Sequence, residues 1–217
     1  MLRERFPGSR ANTLTLAGLA GIVLLSSCSA AQQLPPGTQS TRPAKKVLIV
    51  YLSRTNNTKA VAEIINKHAG GTMVALELEK PYPTNYGATV RQVVRENETG
   101  YLPPLKTRID RIEQYDTVFV GFPTWGMKLP PPMKSFLSTY SLKGKTVIPF
   151  NTNDGYGEGT SFETVKKLCP ESTVLEGFVT KGGRGQDGQT LSIKGSRAAE
   201  VEKDVVSWLR KIRVLAS

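Results

Sequence analysis

Short runs of β-branched and apolar residues alternate with amphipathic segments along most of the chain. KVLIVYL at 46–52 and TVFVGF at 117–122 are continuous runs, as expected for strands buried on both faces. Between such runs, apolar residues recur at the spacing of a helix face. The pattern predicts strands at 46–52, 72–78, 117–122, 146–150 and 173–180. It predicts helices at 58–69, 86–98, 131–140, 161–168 and 196–212.

Strands that alternate with helices favour an α/β fold, here a doubly wound five-stranded parallel sheet with helices on both faces. In such sheets, ligands bind beyond the carboxyl ends of the strands, where the strand order reverses. Three loops occupy these positions: residues 53–58, 123–130 and 151–159, after strands one, three and four. A binding site is therefore expected where the three loops meet.

The N-terminal segment has the pattern of an export signal. Residues 14–25, LTLAGLAGIVLL, form an apolar run preceded by three arginines. The run is shorter than the roughly 20 residues of a membrane-spanning helix and has the length of a signal-peptide core. It ends in Leu25-Ser26-Ser27-Cys28, which resembles the bacterial lipobox. An ordinary signal peptide that happens to carry a cysteine is the alternative.

The lipobox resemblance implies a division of the chain into three parts. Residues 1–27 are then a signal peptide, and Cys28 receives fatty acyl chains such as palmitate. Residues 28–44, which contain four of the prolines and glycines of the chain, read as a flexible tether to a globular domain at 45–217. A residue other than Asp after Cys28 implies export to the outer membrane, if the organism has one. We therefore expect a lipoprotein held at the membrane of the bacterial cell envelope.

Composition and charge narrow the function classes. The chain has 29 Lys and Arg against 18 Asp and Glu, a net charge of +11, which favours anionic partners. Either a solvated charged surface or attraction to an anionic membrane accounts for this charge. The chain has no run of five or more basic residues, so a nucleic-acid partner is disfavoured. One histidine and two cysteines exclude a zinc site of cysteine and histidine ligands. We expect no metal site, a buried apolar role for Cys169, and an organic cofactor for any demanding chemistry.

The first loop, Ser53-Arg54-Thr55-Asn56-Asn57-Thr58, joins strand one to helix one. Its hydroxyls and the N–H groups of a helix start suit a phosphate dianion. The loop has neither the Walker pattern nor G-x-G-x-x-G; a plain turn with Thr58 as helix cap is the alternative. Ser53-x-Thr55-x-Asn57-Thr58 after a buried strand resembles the phosphate loop of flavodoxins, which bind flavin mononucleotide (FMN). The usual glycine is here Asn56, a residue that tolerates positive φ.

The second and third loops extend the resemblance. Pro123-Thr124-Trp125-Gly126 resembles the Pro-x-Trp loop of flavodoxin-like proteins, with Trp125 as a platform for flavin stacking; a packing tryptophan is the alternative. The third loop contributes Thr152, Asn153, Asp154, Gly155 and Tyr156. The resemblance implies that Tyr156 covers the other flavin face, although a surface tyrosine is nearly as good an interpretation.

The resemblance covers residues 45–213 and implies a flavodoxin-like sheet of order 2-1-3-4-5 with FMN as cofactor. It assigns no catalytic residue. Three functions follow: an electron-transfer protein of the cell envelope with an unidentified redox partner, a reductase that uses NAD(P)H or a quinol to reduce quinones or other small acceptors, and a binding module without flavin. The phosphate loop and Trp125 favour the first two.

Overall fold

Six strands form one parallel sheet in a computed structural model that describes residues 46–183 and 191–216. The strands are β1 Val47–Tyr51, β2 Thr72–Ala75, β3 Thr117–Pro123, β4 Thr146–Asn153, β5 Thr173–Val174 and β6 Phe178–Lys181. The helices are α1 Asn57–Ala69, α2 Tyr86–Thr99, α3 Pro131–Thr139, α4 Ser161–Leu168 and α5 Ser196–Lys211, with a 3-10 turn at Ile112–Gln114. The predicted signal peptide, Cys28 and the tether lie outside the described residues.

The strand order is β2-β1-β3-β4, with β5 and β6 both paired to β4, and every pairing is parallel. The predicted order 2-1-3-4-5 is therefore confirmed. It is the arrangement of a doubly wound sheet, in which the strand order reverses between β1 and β3. The carboxyl ends of β1, β3 and β4, and the loops that follow them, lie together at one edge of the sheet.

Two apolar layers sandwich the sheet, because successive residues of a strand point to opposite faces. Leu48 and Val50 of β1 face the layer that holds Phe136 of α3 and Val165 of α4. The intervening Ile49 and Tyr51 face the other layer, which contains residues of α1 and α5, including Trp208. Burial on both faces explains why β1 and β3 are continuous apolar runs and not alternating ones.

The predicted fifth strand, 173–180, is wrong as a single strand. β5 and β6 are separated by residues 175–177, which oppose only Ile148 and Pro149 of β4, so this edge carries a bulge. Pro149 has no N–H with which to continue the ladder. The Trp208 indole N–H donates to the Glu176 carbonyl in the interruption, at 3.0 Å.

Two other strands end three residues away from their predicted ends. The predicted second strand, 72–78, ends at Ala75, and Leu78 instead forms an antiparallel bridge with Leu105. β4 runs on to Asn153, three residues beyond its predicted end at 150. Thr152 and Asn153 therefore lie in a buried strand, where the sequence predicted an open loop.

Candidate functional site

The three predicted loops meet in one cleft of about 430 Å³ at the carboxyl edge of the sheet. This volume lies in the range of small-molecule sites, about 300–1,000 Å³. Three of the predicted residues, Ser53, Asn56 and Gly155, do not line the cleft. The others do: Arg54, Thr55, Asn57, Thr58, Pro123, Thr124, Trp125, Gly126, Thr152, Asn153, Asp154 and Tyr156.

The phosphate loop, residues 53–58, turns sharply into α1. Asn56 has φ 62°, in the left-handed region, and its side chain makes no capping hydrogen bond. α1 begins at Asn57, so Thr58 lies inside the helix and the alternative of Thr58 as helix cap is wrong. The Thr58 hydroxyl instead lies 2.8 Å from the hydroxyl of Thr152 on β4. A buried hydroxyl pair therefore joins the first loop to the end of β4.

The start of α1 presents backbone N–H groups that a ligand can bond. Ser53 Oγ accepts from the Lys59 N–H at 3.2 Å, and the Asn56 carbonyl accepts from the Ala60 N–H at 2.9 Å. Among the residues that the structure describes, no acceptor bonds the N–H groups of Asn57 and Thr58. Unpaired N–H groups and the positive end of the helix dipole both favour an anion at this position.

Asn57 holds the phosphate loop against a distant segment of the chain. Its buried side-chain oxygen accepts from the N–H groups of Ser192 and Ile193, at 2.8 and 3.0 Å. Its amide nitrogen donates to Thr55 Oγ1 at 2.8 Å. Because Thr55 accepts that bond, its own hydroxyl proton is available to a ligand.

Arg54 points toward the start of α2. Its guanidinium donates to the Thr84 carbonyl at 2.8 Å and lies 5.7 Å from the centroid of the Tyr86 ring. A guanidinium over an aromatic ring is attracted by the negative face of that ring. Arg54 therefore joins the phosphate loop to α2.

The second loop is a tight turn that carries Trp125. The Lys128 N–H donates to the Trp125 carbonyl at 3.1 Å, and the Trp125 N–H to the Lys128 carbonyl at 3.4 Å. Gly126 and Met127, at the centre of the turn, have φ of 58° and 59°. Two positive φ angles are those of a type I′ turn, for which glycine is suited and methionine is not. The Met127 carbonyl accepts from the Thr160 N–H at 3.0 Å, which ties the turn to the start of α4.

Trp125 is half-buried and contacts Tyr82 edge-on, with ring centroids 5.3 Å apart. The Tyr82 hydroxyl donates to the buried carboxylate of Glu96, which also accepts from Gln92 at 2.8 Å. Burial, followed by the hydrogen bond to Glu96, raises the pKa of the Tyr82 phenol well above its usual value. The phenol therefore stays protonated. Its hydrogen bond to Glu96 holds the Tyr82 ring in contact with Trp125.

Buried amides shape the third loop. Asn151 donates to the Phe122 carbonyl at 3.0 Å and contacts the Thr124 hydroxyl. Asn153 Oδ1 accepts from the N–H groups of Gly155 and Gly157, at 2.7 and 3.2 Å. Gly155 is thereby turned into its own loop and away from the cleft. Tyr156 does line the cleft, but its side chain is 73% exposed.

The sequence prediction missed one wall of the cleft. That wall is a face of α2, together with residues of the segment after β6. Helical spacing predicted α2 and grouped its valines, but nothing in the spacing shows that the face is turned to a cleft. The missed residues are Tyr86, Thr89, Val90, Val93, Val94, Asn97, Glu98, Gly182 and Gly183, whereas Met127 and Lys128 lie in the predicted second loop, 123–130.

Three other features bear on the chemistry of the domain. Within residues 46–183 and 191–216, no cluster of histidine, cysteine and carboxylate side chains is suited to a metal ion. None of the helices in those ranges has the length and apolarity needed to cross a bilayer. Cys169 is buried in the core, and burial raises the pKa of its thiol to about 11. Its thiol therefore stays protonated and unreactive.

The left-handed conformation of Asn56 leads to a testable stability difference. Asn56→Ala should lower the free energy of unfolding by about 1 kcal/mol, because a Cβ without a compensating polar group is strained in this region. Asn56→Gly should leave the free energy unchanged or raise it, since glycine adopts positive φ freely. Urea unfolding of the three proteins measures both differences. Equal stability of the alanine and glycine variants would contradict the assigned conformation.

Comparison with solved structures finds several related folds. One is a protein of Bacteroides eggerthii described as a flavoprotein, with 29% sequence identity and a TM-score of 0.63. The matched region spans 78% of this chain and 99% of the Bacteroides chain. A flavoprotein of Lactobacillus acidophilus, solved in complex with FMN, is 22% identical, with a TM-score of 0.55, and covers 64% of this chain and 93% of its own. These likenesses show the fold.

Comparison with curated proteins finds no match. The sequence model of the flavodoxin family, in contrast, matches residues 46–191, from the residue before β1 to the residue before Ser192. That match spans every strand of the sheet and all three loops of the cleft. The chain belongs to the flavodoxin family.

Proposed function

We propose that this protein binds FMN in the cleft and transfers electrons at the bacterial cell envelope. The observation that carries the proposal is that one cleft contains both the phosphate loop and the aromatic ring of Trp125. In the part of the chain that the structure describes, the N–H groups of Asn57 and Thr58 in that loop bond no acceptor. The family and the FMN complex of the Lactobacillus acidophilus flavoprotein support the same cofactor.

The donors of the cleft fit the phosphate of FMN. Thr55, Asn57 and Thr58 present hydroxyl and N–H groups at the start of α1, where the helix dipole attracts an anion. At the other side of the cleft, Trp125 offers an aromatic surface and Gly126 an exposed peptide. FMN supplies reversible uptake of one or two electrons, which none of the cleft side chains provides. The protein binds the cofactor, orients it and shields it from water.

The absorbance spectrum of the purified full-length protein tests this function. We expect the visible bands of a flavin, and heat denaturation should release FMN and neither FAD nor riboflavin. If the protein is colourless and binds no added FMN, only the third candidate function remains, a binding module without flavin on the same fold. Stopped-flow mixing with NADH or NADPH separates the remaining two functions, because a carrier is reduced slowly by these donors and a reductase rapidly.

The envelope location rests on the N-terminal sequence. The apolar run at 14–25, followed by Leu25-Ser26-Ser27-Cys28, supports cleavage before Cys28 and lipid attachment to it. Stable anchoring takes more than one acyl chain or a chain with a basic patch, and a modified lipobox cysteine carries several chains. The redox partner is then a molecule that reaches the envelope.

Cys28→Ala should abolish lipid attachment. The wild-type protein should carry acyl chains and partition into the detergent phase, whereas the variant should carry none, whether or not its signal peptide is removed. Mass spectrometry of the N-terminal peptide measures the acyl groups directly. Wild-type protein found in the aqueous phase, with no acyl mass on its N-terminal peptide, would refute the lipobox interpretation.

A further inference from the structure

Three apolar side chains of α2 line the cleft at intervals of four residues: Tyr86, Val90 and Val94. Residues four apart lie one above the other on the same side of a helix. Together they form a continuous apolar surface, here called the α2 stripe, which is about 12 Å long at the helical rise. Its members are 38%, 41% and 46% exposed, whereas the adjacent Val93 is 4% exposed. The helix thus turns a partly exposed apolar surface toward the cleft.

The α2 stripe begins beside the phosphate loop. Tyr86, its first member, lies 5.7 Å from the guanidinium carbon of Arg54, and Arg54 belongs to that loop. Both residues line the same cleft as Thr58. A ligand whose phosphate is bound at the start of α1 therefore has the α2 stripe as a neighbour along the cleft.

The α2 stripe is held in place before any ligand binds. Asn85 caps the helix by accepting from the Ala88 N–H at 2.9 Å, and Arg54 donates to the Thr84 carbonyl just ahead of the cap. Near the other end of the helix, the buried Glu96 accepts from Tyr82. A preformed surface loses little conformational freedom on binding, so its contacts add directly to affinity.

We propose that the α2 stripe is an apolar wall against which the isoalloxazine ring of FMN packs, in addition to Trp125. The inference rests on the proposed function and names cofactor-binding residues that lie outside the three loops. A flat, largely apolar ring covers such a stripe, whereas a phosphate or a ribityl chain needs polar partners along its length. Apolar area removed from water on both sides of the ring then stabilises the complex.

Isosteric substitutions test the wall without altering the shape of the helix. Val90→Thr and Val94→Thr replace one methyl group with a hydroxyl group and keep the β-branched side chain. Val179→Thr is the matched control, because Val179 is 38% exposed on β6 and does not line the cleft. Apo-protein of each full-length variant is titrated with FMN and with riboflavin, which has the ring and no phosphate.

Each cleft variant should bind FMN and riboflavin about fivefold to tenfold more weakly, because the ring then covers a hydroxyl group without a partner. The control should bind both as the wild type does. Unchanged riboflavin affinity in the cleft variants would overturn the wall, and so would an equal loss in the control. A raised KM for an electron acceptor with unchanged flavin affinity would assign the stripe to the acceptor instead. Failure of the wild type to bind any flavin would refute the proposed function.

Discussion

Asn57→Asp should reduce the affinity for FMN by about a hundredfold or more, while the protein remains folded. The aspartate oxygen still accepts from Ser192 and Ile193, so the contact that holds the loop survives. The donor to Thr55 is lost and a negative charge takes its place. Two like charges about 7 Å apart at an effective dielectric of about 20 repel each other by about 2 kcal/mol, and the phosphate of FMN carries up to two such charges. Fluorescence titration of apo-protein with FMN measures the loss.

Riboflavin and a second substitution control this experiment. Riboflavin lacks the phosphate, so its affinity should change by less than about threefold in the Asn57→Asp variant, since the repulsion is absent. Lys67→Gln changes the net charge by the same amount at an exposed position of α1, ten residues and about 15 Å farther along the helix, and should leave FMN affinity nearly unchanged. An equal loss of riboflavin and FMN would show that the substitution distorts the cleft and does not act through the phosphate.

Trp125→Ala should weaken FMN binding by about a hundredfold and raise the reduction potential of the bound flavin. Covering a large aromatic side chain contributes up to about 3 kcal/mol, and aromatic pairs add about 0.5–1.5 kcal/mol more. An electron-rich ring against the flavin disfavours the added negative charge of its reduced form, so removal of the ring relieves that penalty. Potentiometric titration measures the potential, and equilibrium titration the affinity.

Trp125→Phe serves as the matched variant, because it keeps an aromatic ring above the Tyr82 edge. Its affinity and potential should lie between those of the wild type and the alanine variant. Normal flavin affinity together with an unshifted potential in Trp125→Ala would show that the tryptophan is only a packing residue of the turn.

The fold could be predicted because its strands are buried on both faces. Val47–Tyr51 and Thr117–Pro123 have no polar face, and in a chain of five strands that alternate with helices the centre of a doubly wound sheet buries such segments. The position of the cleft followed from the same rule, since ligands bind where the strand order reverses. Asn56 adopts a positive φ, as expected for the residue that stands where the phosphate loop of flavodoxins usually has glycine.

The rest of the site depends on contacts between segments far apart in the chain. The hydrogen bonds from Ser192 and Ile193 to Asn57 span more than 130 residues, and no local pattern encodes them. Val90 and Val94 have the spacing of core residues, and only tertiary packing turns them toward a cleft. The interruption between β5 and β6 depends on Pro149 of the neighbouring strand, whose effect on its partner is invisible until the strands are paired.

The interruption at residues 175–177 has a consequence for self-association. An open sheet presents a row of backbone donors and acceptors at its outer strand, which another copy of the chain can extend. Here the outer edge is divided into β5, of two residues, and β6, of four residues. Between them, the Glu176 carbonyl already accepts a hydrogen bond from the Trp208 side chain. At the opposite edge, Thr107 Oγ1 donates to the Ala75 carbonyl at the end of β2. Neither edge of the described sheet therefore offers a long template for strand addition, which protects the folded domain from edge-to-edge aggregation.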